Sequence, residues 1–200
     1  MKTTIVIATH NNNKAKEIQK LMAYLPVEFI TLNDLGIEIE VEENGKTIKE
    51  NAIIKSQQYS KITGLNCLSD DSGLIVDSLD GRPGIHTARY GGTHTNYNQK
   101  RMLLLQEMYS IPWIKRHAQF KCTLALTVVQ PNKIITTEGV CKGIITESDR
   151  GSNGFGYDPI FYLMEKSCTM AELDENSKNT VSHRAIASEN MKNQISSIFL

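Results

Sequence analysis

Two consecutive aspartates, Asp70 and Asp71, stand between the short apolar runs 65–68 and 74–76. Neighbouring carboxylates repel each other, and burying either one without a partner is costly. A magnesium ion would relieve both problems, because it prefers hard carboxylate oxygens. The alternative is an ordinary acidic turn between two strands, with Gly73 supplying backbone freedom. The pair therefore points to a metal-assisted reaction, with the plain turn still open.

A second acidic pair, Glu42 and Glu43, precedes Asn44-Gly45. Its carboxylates could converge on the same ion as the aspartates. The alternative is a solvated run of charge, which is the commoner origin of such a pattern. The pair supplies candidate metal ligands only if the fold brings it to Asp71.

A polar loop, Thr9 to Lys14, follows a β-branched run and precedes a helical pattern. The first N–H groups of a helix lack intrahelical partners and lie at the positive end of its dipole, so they bind anions. Thr9, Asn11 and Lys14 would add a hydroxyl, an amide and an ammonium aimed at phosphate oxygens. The loop lacks the G-x-x-x-x-G-K-[ST] pattern of a Walker loop. A solvated turn whose asparagines cap the helix is the alternative.

Residues 154–159 read Gly-Phe-Gly-Tyr-Asp-Pro. Glycines allow close backbone approach, Phe155 offers a stacking face and Asp158 offers acceptors. These are the components of a purine pocket. The alternative is a tight glycine turn with Phe155 packed into the core.

Lys178 and the run Ser182-His183-Arg184 provide further polar candidates. An arginine only donates hydrogen bonds, in a fixed fork. It would suit the six-keto oxygen of a purine and would be mismatched to the amino group of adenine, which is a strong basis for discrimination. The alternative is a helix start with Ser182 as N-cap and His183 and Arg184 in solvent.

The elements that position these residues follow from the spacing of apolar side chains. Predicted strands cover residues 3–8, 27–31, 120–129 and 134–142, the last two joined by a Pro-Asn turn. Predicted helices cover residues 14–24 and 98–109, and a last helix starts at Ser182. Strands and helices alternate first and a long hairpin follows, so we expect an α/β fold with a mixed sheet and the hairpin in its own lobe.

One further helix is marked by Thr47-x-x-Glu50, which matches a capping box. One face of this helix carries Ile48, Ala52, Ser56 and Tyr59.

Composition limits the function classes. The chain has 200 residues, with 22 Lys and Arg against 22 Asp and Glu. Zero net charge gives no field for non-specific binding of nucleic acid or an anionic membrane. No apolar run is long enough for an export signal or a membrane span, and the four cysteines form no C-x-x-C pair. We expect a soluble cytoplasmic protein with reduced thiols and a single domain over residues 1–200.

Together these segments resemble the inosine triphosphate pyrophosphatase family, also described as XTP/dITP diphosphatases. The similar motifs occur in order at residues 7–14, 42–45, 50–52, 70–74, 81–85, 88–90, 154–159 and 182–184. The resemblance implies an elongated, two-lobed α/β fold around a mixed β-sheet, with the active site in the cleft between the lobes. It also implies Mg²⁺ as cofactor, a nucleotide substrate and a homodimer.

The resemblance assigns roles by position. Asp71 would bind metal and accept the proton of the attacking water, at the ordinary carboxyl pKa. Glu43 or Glu42 would be a further metal ligand, and Asp70 would support the site from beside it. The expected substrate-binding residues are Thr9, His10, Asn11, Asn12, Asn13, Lys14, Ser72, Phe155, Gly156, Tyr157, Asp158, Lys178, His183 and Arg184.

One departure concerns the phosphate loop, where His10 stands at a position that is glycine in many members of this family. The expected reaction is hydrolysis of ITP, dITP or XTP to the monophosphate and pyrophosphate. A related Maf-type pyrophosphatase that acts on pyrimidine nucleotides is the nearest alternative. A nucleotide-binding sensor without catalysis is another, although Asp70, Asp71 and Lys14 argue against it because binding alone needs no base beside a metal.

Overall fold

The computed structural model describes residues 2–92 and 94–199. Its strands are β1 (Thr4–Ala8), β2 (Glu28–Thr31), β3 (Asn66–Val76), β4 (His117–Val128), β5 (Lys133–Ile145), β6 (Phe161–Leu163) and β7 (Cys168–Thr169). Its α-helices are α1 (Asn12–Leu21), α2 (Ile48–Thr63), α3 (Tyr97–Glu107), α4 (Glu175–Val181) and α5 (His183–Phe199). In the described part of the chain, no helix has the length and apolarity to cross a membrane.

The seven strands form one mixed sheet in the order β2-β1-β3-β4-β5-β6-β7. β1 pairs in parallel with β2 and with β3, whereas β6 pairs antiparallel with β5 and with β7. The predicted α/β class with a mixed sheet is therefore confirmed.

The chain divides into two compact units. The first comprises Met1–Asp71, Cys122–Gly139 and His183–Leu200, and the second comprises Ser72–Lys121 and Val140–Ser182. The prediction that the hairpin forms its own lobe is wrong, because β4 and β5 each contribute residues to both units.

The first unit has two apolar clusters. The larger packs α1 and α5 onto β1 and β4, through side chains such as Ile7, Ile18, Leu124 and Met191. The smaller one contains Val6, Ala8, Leu32, Tyr59 and Cys67.

The second unit has its own core around Leu74, Leu104, Phe120 and Phe161. Burial of each aliphatic or aromatic side chain stabilises a fold by roughly 1.5–3 kcal/mol.

Helix ends follow local capping chemistry. α1 begins at Asn12, two residues before the predicted start, because Asn11 caps it by accepting hydrogen bonds from the N–H groups of Asn13 and Lys14. α4 was not predicted, and its N-cap is Asp174, whose side chain accepts from the Ser177 N–H.

The backbone around the two aspartates differs from the turn that the sequence left open. Asn66–Val76 forms one continuous strand, so the acidic turn flanked by two separate apolar runs is wrong. Asp70 and Asp71 are 0% and 8% exposed, and such burial of charge requires partners.

Candidate active site

The polar loop after β1 is ordered by its own side chains. The Thr9 hydroxyl accepts a hydrogen bond from the Asn11 N–H at 3.1 Å. Asn11 Oδ1 accepts from the N–H groups of Asn13 and Lys14, at 3.0 and 3.2 Å. The capping role that the sequence left open is confirmed for Asn11. Phosphate binding by residues Thr9 to Lys14 stays a prediction, supported by the position of the loop at the N-terminus of α1.

Asp70 lies at the centre of a buried charge cluster in the first unit. Its Oδ1 pairs with Lys14 Nζ, and its Oδ2 lies 2.9 Å from Arg184 Nε. Arg184 also donates through Nη1 to Glu17 Oε2 at 2.5 Å. The Cys122 thiol donates to Asp70 Oδ2 at 3.1 Å. Asp70 therefore orients Lys14 and Arg184.

Asp71 faces a second set of charges in the same unit. Lys55 Nζ lies 2.9 Å from Glu43 Oε1 and 4.0 Å from Asp71 Oδ1, and it donates to the Asp70 carbonyl at 3.1 Å. Within the described residues, the buried Asp71 Oδ2 has no hydrogen-bond partner. Glu42 is exposed to solvent, whereas Glu43 is partly buried beside Lys55. The geometry therefore favours Glu43 as the partner of Asp71.

The pKa of Asp71 differs from the ordinary value expected from the sequence. Its pKa is raised to about 6, mainly by burial; the charges of Lys55 and Lys14 lower it, and those of Glu43 and Asp70 raise it. At neutral pH the group is still mostly ionised, and it is a better proton acceptor than an ordinary aspartate.

The donors around Asp71 suit a magnesium ion. Across residues 2–92 and 94–199, no three His, Cys, Asp or Glu side chains are grouped to hold a metal. Mg²⁺ commonly uses only one or two carboxylates and completes its shell with water and substrate phosphates. The partnerless Asp71 Oδ2 and the nearby Glu43 carboxylate meet that requirement.

The glycine-rich loop of the second unit is organised by Asp158. Its Oδ2 accepts from the Phe155 N–H at 2.9 Å and pairs with Lys178 Nζ at 2.7 Å. Lys178 Nζ also lies 4.7 Å from the Phe155 ring centroid, within cation–π range. Both Asp158 and Lys178 are buried. Three of the predicted nucleotide-binding residues are thus brought together.

Gly154 has a structural reason to be glycine. Its φ is +73°, and a Cβ there would lie 2.1 Å from Asp158 Oδ2. Gly156 also has a positive φ, and its carbonyl accepts from Arg101 Nη1 at 2.9 Å. Tyr157 is buried, and its ring packs edge to face against the ring of Tyr97. The Tyr157 hydroxyl donates to the Thr87 carbonyl. Tyr157 therefore supports the loop from the core.

The remaining predicted residues lie in buried or partly buried positions. Ser72 is a partly buried residue of β3 in the second unit. His183 and Arg184, in the first unit, are 6% and 1% exposed, so the alternative that both are solvated is wrong. A Cβ on Gly139 would lie 2.1 Å from the His183 carbonyl, so glycine permits α5 to approach β5 closely here.

Known proteins resemble this chain in sequence and in structure. The sequence matches the Ham1 family over residues 5–194. This chain belongs to the Ham1 family. The dITP/XTP pyrophosphatase of Geobacter sulfurreducens is 45% identical over 193 residues, 96% of each protein. The dITP/XTP pyrophosphatase of Bacillus cereus is 41% identical over 197 residues, 98% of this chain and 96% of that protein.

Solved Ham1 structures share the fold. The HAM1 protein of Coxiella burnetii has a TM-score of 0.89 at 37% identity, covering 98% of this chain and 99% of that one. The Ham1 protein of Staphylococcus aureus has a TM-score of 0.87 at 33% identity, with the same coverage. The family resemblance drawn from the motifs is confirmed.

Three residues of the charge clusters were missed from the sequence. Lys55 lies on the face of α2 that also carries Ala52 and Tyr59, so a lysine on an otherwise buried face was the available signal. Glu17 and Cys122 gave no comparable signal, because their roles depend on contacts with residues far away along the chain.

Proposed function

We propose that this chain hydrolyses non-canonical purine nucleoside triphosphates, dITP, ITP and XTP, to the monophosphate and pyrophosphate. Membership of the Ham1 family and the names of its relatives support the reaction class. The observation that carries the proposal is the buried Asp71 carboxylate, which has one partnerless oxygen and lies beside Lys55 and Glu43.

In this mechanism the Asp71 carboxylate accepts a proton from the attacking water. The water oxygen bonds to the α-phosphorus, the bond from that phosphorus to the bridging oxygen breaks, and pyrophosphate leaves with the electron pair. Lys14 and Lys55 supply positive charge toward the phosphate oxygens. Asp70 orients Lys14, because its Oδ1 pairs with Lys14 while its Oδ2 is held by Arg184.

Asp71 and Glu43 are the residues that would hold Mg²⁺. When bound, the ion would neutralise charge on the phosphates and on the leaving pyrophosphate. The support is the pairing of two hard carboxylates around a single lysine ammonium.

Recognition of the nucleoside is assigned to the residues for which the family resemblance predicted that role. Phe155 offers a ring for stacking, and Asp158 fixes the position of Phe155 and of Lys178. Arg184 and His183 would contribute donors selective for a keto purine.

A substrate panel tests the proposal. The purified chain is incubated with dITP, ITP, XTP, GTP, ATP, UTP and dTTP, with Mg²⁺ or with EDTA, and pyrophosphate and monophosphate are measured. We expect release from the first three at rates well above those for the others, and none with EDTA. Release mainly from UTP or dTTP would favour the pyrimidine alternative.

The Asp71→Asn variant separates catalysis from binding. Loss of a general base typically lowers the rate by 10²–10⁴-fold, while thermal stabilisation by ITP should persist. Substantial turnover by this variant contradicts the role of Asp71. Stabilisation of the unaltered chain by ITP with no pyrophosphate produced would instead support a sensor.

We also propose a homodimer, as the family resemblance implies, and a cytoplasmic protein that does not bind nucleic acid, in line with its zero net charge. Light scattering coupled to size exclusion tests the dimer, and a gel-shift assay at physiological salt tests nucleic-acid binding. Cell fractionation tests the location.

A further inference from the structure

His10 connects three parts of the first unit. Its Nε2 lies 3.1 Å from the carbonyl oxygen of Ile39 and 3.0 Å from the Tyr59 hydroxyl oxygen. The His10 and Tyr59 rings meet edge to face, with centroids 6.0 Å apart. The loop after β1, helix α2 and the segment around Ile39 therefore meet at this imidazole.

The hydrogen-bond pattern assigns the proton of the ring. The Tyr59 O–H donates to the Ile39 carbonyl at 2.9 Å. Its one hydrogen is then used, so the phenol oxygen can only accept from His10. Nε2 must therefore carry a hydrogen, which it donates to the phenol oxygen and to the same carbonyl.

The segment held in this way, residues 38–46, has neither helix nor strand. Ile37 before it and Val41 within it pack against the small apolar cluster that includes Tyr59. The side chain of Ile39 is 63% exposed, so this residue is anchored through its carbonyl and not through apolar packing.

Further contacts of the segment involve the backbone of Val41, which hydrogen-bonds to Tyr59, and residues from Glu43 onward. Glu43 pairs with Lys55, and the Gly45 N–H donates to Asn51 Oδ1 at 2.8 Å. The Lys46 N–H donates to Glu50 Oε2 at 2.7 Å. On the amino-terminal side of Glu43, the Ile39 carbonyl is thus held by His10 and Tyr59, and Tyr59 also hydrogen-bonds to the backbone of Val41.

We propose that His10 is a positioning residue that holds the segment 38–46 so that the Glu43 carboxylate stays beside Lys55 and Asp71. This inference rests on the proposed function for the metal role of Glu43. A partner that orients a metal ligand typically changes metal affinity by about 10–100-fold when removed.

Four variants test the inference. His10→Ala removes the donor, and His10→Gln retains an amide N–H at a similar reach. Tyr59→Phe removes the hydroxyl and keeps the ring. His117→Ala, at an exposed position at the start of β4, is the matched control.

The first measurement needs no activity. Amide hydrogen exchange is followed in each variant without nucleotide or metal, and Mg²⁺ binding is measured by calorimetry. We expect faster exchange over residues 38–45 in His10→Ala and Tyr59→Phe, and about tenfold weaker Mg²⁺ binding in His10→Ala. His10→Gln should restore most of the slow exchange and most of the Mg²⁺ affinity. His117→Ala should match the unaltered chain.

The second measurement is the Mg²⁺ concentration for half-maximal pyrophosphate release. It should rise about tenfold in His10→Ala and return close to the unaltered value in His10→Gln. Unchanged exchange over 38–45, or a raised nucleotide KM with an unchanged Mg²⁺ requirement, would overturn the inference. If the unaltered chain releases no pyrophosphate, the proposed function fails, while exchange and calorimetry still decide the role of His10.

Discussion

The guanidinium of Arg184 donates through Nε to Asp70 Oδ2 over 2.9 Å, joining residues 114 positions apart. Both side chains are at most 2% exposed. Although burial raises the pKa of Asp70, the charges of Arg184 and Lys14 hold it well below its usual range. The carboxylate is therefore charged at neutral pH.

Replacement of Asp70 by asparagine tests this pairing. We expect Asp70→Asn to lower the free energy of unfolding by about 3–5 kcal/mol, because Arg184 and Lys14 would lose a buried counter-charge. Urea unfolding at pH 7.5 measures this change in the free energy of unfolding. Asp77→Asn, at an exposed position, is the control and should change stability by less than about 0.5 kcal/mol. Equal stabilities of the two variants would show that the pair contributes little.

Replacement of the adjacent Asp71 should have the opposite effect on stability. Its Oδ2 is buried without a hydrogen-bond partner, and the pKa of the group is raised to about 6, mainly by burial. A neutral amide removes this charge, so Asp71→Asn without metal should be at least as stable as the unaltered chain while losing turnover. Urea unfolding and pyrophosphate release, measured on the same preparation, check both. A loss of several kcal/mol in the free energy of unfolding would contradict the prediction that the buried Asp71 carboxylate destabilises the fold.

Two glycines with similar backbones give a matched test of the nucleotide loop. Gly36 and Gly154 have φ values of +65° and +73°, but only at Gly154 would a Cβ collide, with Asp158 Oδ2. Gly36→Ala should cost about 1–2 kcal/mol for the left-handed backbone. Gly154→Ala should cost at least about 2 kcal/mol more, because Asp158 must leave Phe155 or Lys178. Thermal unfolding of both variants measures the difference, and equal losses would exclude the collision.

Alkaline pH should destabilise the fold through Cys67. Burial raises the pKa of this thiol from an ordinary value of 9.0 to about 11, with a smaller opposing effect from the Thr63 hydrogen bond. A group with a raised folded-state pKa contributes its full stability below the unfolded pKa and loses it as pH rises through the folded pKa. The difference in unfolding free energy between the unaltered chain and Cys67→Ser should therefore shrink by about 2 kcal/mol between pH 8 and pH 11. A pH-independent difference would contradict this.

The sequence predicted the elements where the signal was local. β1, β2 and the 154–158 loop lie where the patterns placed them, and the Thr47 cap does accept from the Glu50 N–H. The Glu50 carboxylate, however, reaches the Lys46 N–H, so the capping box is incomplete. This one-residue shift depends on the direction from which the preceding chain enters α2.

The candidate site was harder, because its partners are distant in sequence. Consecutive aspartates indicated a shared role, yet Asp70 and Asp71 have separate partners, since successive strand residues point to opposite faces. The shifted pKa of Asp71 and the contribution of Lys55 both required burial to be known. Contacts of this kind are set by packing and have no signature in spacing.

Residues Cys122–Gly139 return to the first unit after the first segment of the second unit, and His183–Leu200 return to it after the whole second unit. During synthesis, Arg184 therefore leaves the ribosome after every residue of the second unit. Asp70 is made more than a hundred residues before this counter-charge. A ribosome that stalls before α5 releases a chain with Asp70 lacking Arg184. The first unit therefore reaches its full charge pairing only when α5 has been made.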